Sequence, residues 1–133
     1  MTGVHLRRRR LVMGLLAGAG AVGLHAVARA HAALVKSEPA RRAVLRKAPG
    51  QVRLWFNERL EPAYATIVLN RGDTQPVATN KARLDPGDPK LLVLDLPPLE
   101  PGEYTVRYRV LSVDGHTVDY GYTFSIAPPG GTK

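Results

Sequence analysis

From residue 51 onward the chain alternates apolar and polar side chains with a period of two. In residues 51–57, Val52, Leu54 and Phe56 share one face, and Arg53, Trp55 and Asn57 share the other. That period predicts a strand with one side in a core. Residues 64–70 repeat it through Ala65, Ile67 and Leu69. Residues 103–113 set Tyr104, Val106, Tyr108 and Val110 against Arg107 and Arg109. Residues 118–126 carry the longest run, Val118, Tyr120, Tyr122, Phe124 and Ile126 against Asp119, Gly121, Thr123 and Ser125. Further strands are expected at 31–36 and 91–96, with one short strand among the loops of 75–90. Ser37-Glu38-Pro39, Pro49-Gly50, Arg71-Gly72-Asp73, Pro97-Pro98 and Pro101-Gly102 separate these stretches, and such residues mark turns. No segment after residue 30 sustains a helical period. Six or seven short strands with frequent turns predict an all-β, antiparallel sandwich or barrel of one domain.

The first thirty residues follow a different pattern. Arg7, Arg8, Arg9 and Arg10 precede an apolar run from Leu11 to Leu24, and Ala28-Arg29-Ala30 follows. A basic start, a short apolar stretch and a small-x-small end are the parts of an export signal. Ala26-Val27-Ala28 satisfies the same rule, so the cut has two candidate positions. A retained membrane anchor is the alternative, but residues 11–28 are rich in Gly and Ala and short for a span. The expected organisation is a cleaved signal at 1–30, a domain at 31–126 and a flexible tail at 127–133. The tail contains Pro128-Pro129-Gly130-Gly131.

Cleavage changes the charge. The whole chain is +8, but residues 1–30 hold five arginines and no acid. The remainder has 14 basic and 11 acidic residues, about +3. The basic character therefore belongs largely to the signal and gives no case for a nucleic-acid partner. There is no cysteine, so no disulfide, no thiolate metal site and no Cys nucleophile exist. Both methionines, Met1 and Met13, fall in the signal. A metal bound by the rest of the chain must accept nitrogen and oxygen.

Two histidines remain after residue 30, His31 and His116. His116 lies two residues after Asp114, between the last two expected strands. Asp114-Gly115 is also a common hairpin turn, which would need no ligand to explain it. His31 directly follows the Ala30 cleavage position. As an N-terminal residue it would offer an α-amine and an imidazole, with ordinary pKa values near 8 and 6.5. With His116 and Asp114 these make three nitrogens and one oxygen, a set suited to tetragonal Cu(II). The residues alone equally allow His31 to be a bystander beside a cleavage site. Glu58, at the end of a strand, is a further candidate as an axial or supporting group, or simply an exposed carboxylate.

The chain beyond residue 30 resembles the CopC family of periplasmic copper-binding proteins, those of copper resistance. The resemblance rests on five stretches in order: His31-Ala32-Ala33-Leu34 with Ser37-Glu38-Pro39-Ala40; Val52-Arg53-Leu54-Trp55-Phe56-Asn57-Glu58; Pro101-Gly102-Glu103-Tyr104-Thr105-Val106; Ser112-Val113-Asp114-Gly115-His116; and Gly121-Tyr122-Thr123-Phe124. It implies a seven-stranded Greek-key sandwich of Ig-like type. It also implies one Cu(II) held by the amine and imidazole of His31, the Asp114 carboxylate and the His116 imidazole, with Glu58 near that site. Some members add a Cu(I) site built from methionines, which this chain lacks after residue 30. Many work with a CopD-type inner-membrane protein, which makes such a transporter an expected partner. The expected function is that of an exported, soluble copper carrier or buffer in copper resistance or homeostasis, not an enzyme. Two alternatives share the sequence: a copper monooxygenase with a histidine brace, and a metal-free structural or adhesion domain.

Overall fold

A computed structural model of the protein describes residues 32–130. Nine strands form in chain order: β1 Leu34–Glu38, β2 Val44–Leu45, β3 Gln51–Phe56, β4 Thr66–Arg71, β5 Gln75–Pro76, β6 Arg83–Asp85, β7 Asp88–Asp95, β8 Gly102–Leu111 and β9 Thr117–Ile126. A single 3-10 turn, Pro62–Tyr64, is the helical element among the described residues. The fold is an all-β sandwich of two sheets. One sheet has the order β1-β3-β7-β6 and the other β2-β9-β8-β4-β5. The chain crosses between them after β1, β2, β3, β5 and β7, so most sequence neighbours face each other across the core.

The alternating faces meet in that core. Val52, Leu54 and Phe56 of β3 pack with Ile67 and Leu69 of β4, Leu92 and Leu94 of β7, and Tyr104, Val106, Tyr108 and Val110 of β8. Tyr104 stacks on Phe124 with ring centres 5.5 Å apart, and Phe56 meets Tyr108 edge-on at 5.6 Å. Each such side chain contributes roughly 1.5–3 kcal/mol on burial. With no cysteine in the chain, this apolar layer and the ladders hold the fold. The β8–β9 hairpin is its longest ladder, running from Gly102↔Ile126 to Leu111↔Thr117.

Seven of the strands, those of three residues or more, correspond to the expected set. The sequence pattern did not reveal β2, β5 or the early start of β7 at Asp88. β2 also pairs parallel to β9, Val44↔Ser125 and Leu45↔Ile126, so the sheets are not wholly antiparallel. A two-residue strand is too short to display a period. The first strand begins at Leu34 rather than at residue 31 and reaches Glu38, with a register shift between Leu34 and Lys36.

Two side chains depart from the simple inside–outside pattern. Tyr120 shares the inward face of Tyr122 and Phe124 yet is 67% exposed. The layer opposite is thin there, because the small residues Ala32 and Ala33 face it across a cleft of about 690 Å³. Conversely, Leu91 and Val93 are buried although they pair with Trp55 and Arg53 on the outer side of their sheet. The indole of Trp55, with the Lys36 ammonium 4.7 Å and the Arg53 guanidinium 4.8 Å from its centre, belongs to the cover over that side.

Candidate metal centre

Asp114 and His116 lie in the connection 112–116 between β8 and β9. The turn is closed by backbone bonds. The Ser112 amide donates to the His116 carbonyl at 3.0 Å, and the Gly115 amide to the Ser112 carbonyl at 2.9 Å. Gly115 has φ +94°, a conformation in which a side chain is strained, so glycine suits this apex. The turn is also fastened sideways. The Val113 amide donates to the Arg59 carbonyl at 3.2 Å, and Leu60 bridges to Ser112.

Within this frame Ser112 is fully buried, and its hydroxyl donates to Asp114 Oδ1. The same oxygen lies 3.4 Å from the His116 amide nitrogen and 3.1 Å from His116 Nδ1. The Ser112 hydroxyl, and after it the His116 ring, hold the Asp114 carboxyl below its ordinary pKa. Asp114 is therefore ionised at neutral pH, and both side chains are partly open to solvent. A carboxylate and an imidazole at this separation offer an oxygen and a nitrogen to one cation, which would displace the proton between them.

The chain beside His31 reaches the same end of the sandwich. Ala32 is fully buried. The Ala33 amide donates to Asn57 Oδ1 at 2.7 Å, and the Asn57 amide donates to the Ala33 carbonyl at 3.0 Å. Two residues on, Arg59 and Leu60 bind the 112–116 turn. Residues 57–60 thus tie the beginning of the described chain to the turn that carries Asp114 and His116. Ala32, Ala33 and Leu34 also line the same cleft as Thr117, which follows His116.

Glu58 sits in this strap. Its Oε2 is buried without a hydrogen-bond partner among the described residues. An unpaired buried carboxylate oxygen is costly, and a nearby cation is one of the few groups that relieves it. His31 lies outside the described residues. Among the described residues, no three His, Asp or Glu side chains gather into one group, so Asp114 and His116 come together as a pair without Glu58. Ser112 emerges as the residue that orders the Asp114–His116 pair, and Asn57 as the one that anchors Ala33. A buried serine two positions before a carboxylate, and an asparagine ending a strand, were the available signals.

A family model described as the CopC domain matches residues 34–127, the greater part of the chain. The chain belongs to the CopC family. Its relatives include the protein YobA of Escherichia coli strain K12, 36% identical over 98 residues, which span 73% of this chain and 79% of YobA. Among solved structures, CopC from Methylosinus trichosporium OB3b superimposes with a TM-score of 0.71 at 34% identity, covering 77% of this chain and all of that one. PcoC, a methionine-rich copper resistance protein from Escherichia coli, gives a TM-score of 0.66 at 30% identity, covering 73% and 99%. These matches carry the CopC sandwich, with the β8–β9 turn at one end.

Proposed function

We propose that this CopC protein is an exported Cu(II) carrier or buffer in copper resistance or homeostasis. One Cu(II) per chain is held by the α-amine and imidazole of His31, the carboxylate of Asp114 and the imidazole of His116. The carrying observation is that residues 57–60 bind both Ala33 and the 112–116 turn, which supports joining the chain start to Asp114 and His116. The donor chemistry agrees, since nitrogen and carboxylate oxygen suit Cu(II). Glu58 supplies its unpaired Oε2 as a supporting or axial group. PcoC is described as methionine-rich. Here Met1 and Met13 are the only methionines, which favours Cu(II) alone without a Cu(I) methionine site. The role is binding rather than catalysis, in the periplasm or an equivalent exported space. A CopD-type membrane transporter is the fitting partner for the bound copper.

The test is a Cu(II) titration of the exported protein whose mass has first fixed its N-terminus. The expected result is one equivalent bound, with a d–d band and a tetragonal spin-resonance signal. One extra residue ahead of His31, or His116→Ala, should each lower affinity by at least about 100-fold, since each removes nitrogen ligands. Unchanged affinity in both variants would overturn this site.

A further inference from the structure

The segment between β1 and β3 has a charge pattern that the copper site does not use. From Pro39 to Asn57 there is no acidic residue, and Arg41, Arg42, Arg46, Lys47 and Arg53 all fall within it. Several cations are matched: Lys36 and Arg53 with Glu38, Arg71 with Glu100, Arg83 with Asp95, and Arg107 with Asp73. Arg59, Lys81, Lys90 and Arg109 form no ion pair among the described residues but stand scattered along the chain. Arg41, Arg42, Arg46 and Lys47 are all exposed, and among the described residues none forms an ion pair. Four unmatched cations in seven residues make a concentrated positive edge.

Three further observations give that edge a shape. First, it is held in place. The Arg42 amide donates to the Thr123 carbonyl at 2.7 Å, the Ser125 amide to the Ala43 carbonyl at 2.8 Å, and the Ala127 amide to the Leu45 carbonyl at 2.8 Å. Arg42 itself has φ +62°, a left-handed conformation uncommon for a residue with a side chain. Second, Val44 stands at the centre of the cations and is 71% exposed, while its neighbour Leu45 packs against the core. Third, a groove of about 590 Å³ adjoins the segment, lined by Pro39, Ala43, Leu45 and Pro49 together with Lys47 and Arg53. Glu38, the acid on that groove, already faces Lys36 and Arg53.

We propose that this edge seats the protein on an anionic phospholipid surface, with Arg42, Arg46 and Lys47 toward the headgroup phosphates and Val44 toward the glycerol and upper acyl region, while Arg41 lines the neighbouring cleft of Ala32, Ala33 and Tyr120. Basic residues around an exposed apolar side chain, beside an apolar-lined groove, match the chemistry of an interface with charged heads and greasy tails. Attraction of this kind is additive over the cations near the surface and weakens with salt. Docking would hold an exported carrier at a membrane instead of leaving it to diffuse. The proposal is independent of the copper ligands.

The experiment is co-sedimentation of the exported protein with vesicles of phosphatidylcholine containing phosphatidylglycerol, against vesicles of phosphatidylcholine alone. The expected result is binding to the mixed vesicles only, released by salt. Arg46→Glu with Lys47→Glu should weaken binding by at least about 25-fold, taking roughly fivefold per cation. Lys81→Glu with Lys90→Glu makes the same change in net charge at two other exposed, unpaired cations and should change binding less than about threefold. Val44→Ser should weaken binding with charge unaltered. Arg46→Gln with Lys47→Gln, with an unchanged thermal midpoint, should give the same direction as the reversals and so exclude a folding defect. Four outcomes would each overturn the proposal: no binding to mixed vesicles, equal binding to neutral ones, equal loss in both charge-reversed proteins, or full release by inorganic phosphate at an ionic strength matched with chloride.

Discussion

Ser112 and Gly121 show how much single positions decide here. Ser112 is the buried donor behind Asp114, so Ser112→Ala removes the hydrogen bond that orients that carboxylate and most lowers its pKa. Supporting hydrogen bonds of this type are worth about 10- to 100-fold in metal affinity. We expect Ser112→Ala to weaken Cu(II) binding by that range, less than His116→Ala, in a calorimetric titration. Gly121 faces Arg107 across the β8–β9 ladder. A Cβ there would sit 2.8 Å from the Val106 carbonyl oxygen and 3.3 Å from Arg107 Cγ. The first contact is with backbone, which cannot swing aside as a side chain can. Gly121→Ala should therefore cost about 1–3 kcal/mol and lower the thermal midpoint in a melting curve.

Among the elements, β8 and β9 are paired over ten residues each, whereas β2 and β5 are two residues long. Local opening is cheapest where few ladder bonds and few buried contacts must break together. In native-state hydrogen exchange, the amides of Val106 and Phe124 should be among the slowest, and Gln75 among the fast ones. The same contrast governs what a sequence discloses. β3, β4, β8 and β9 are long enough for alternation to appear, and their apolar faces form the core. β2 is set by its parallel partner β9 and the bonds around Arg42, none of which leaves a local pattern. Tyr120 reads as a core residue because period alone does not reveal where the opposite layer thins. Leu91 and Val93 read as part of a plain apolar run, because the cover from Trp55 is a contact between strands. At the candidate site, the closeness of Asp114 and His116 follows from their spacing in one turn. The strap through Asn57, Arg59 and Leu60 is a tertiary arrangement and follows from no such spacing.

The whole molecule has no cross-link, so its stability depends on solvent conditions through its buried groups. Tyr122 is 5% exposed, and its hydroxyl has no well-formed hydrogen bond, although nearby Ser37 offsets a little of the effect. Burial pushes its pKa from 10 to about 12. The neutral phenol is thus favoured in the folded state, while the unfolded chain ionises first. Its contribution is complete below pH 10 and is lost as pH rises through about 12. Two units correspond to roughly 2–3 kcal/mol, so unfolding should become steeply easier in that window. Tyr122→Phe removes an orphaned hydroxyl, which should raise stability at neutral pH by about 1 kcal/mol and flatten the alkaline loss. Urea unfolding of both proteins across that pH range checks the two effects together.

The paired bonds between Ala33 and Asn57 act as a ruler. They fix the fold at a point two residues after His31, whatever happens upstream. A cut after Ala28 instead of Ala30 would leave Arg29 and Ala30 ahead of His31 and remove its free amine from the coordination set. Stripped of metal, the two products would share one sandwich and melt alike, yet they would differ sharply in copper content. On the proposed reading, processing fidelity becomes a quality-control parameter of its own, visible by mass and by metal occupancy and silent to probes of folding in the metal-free protein.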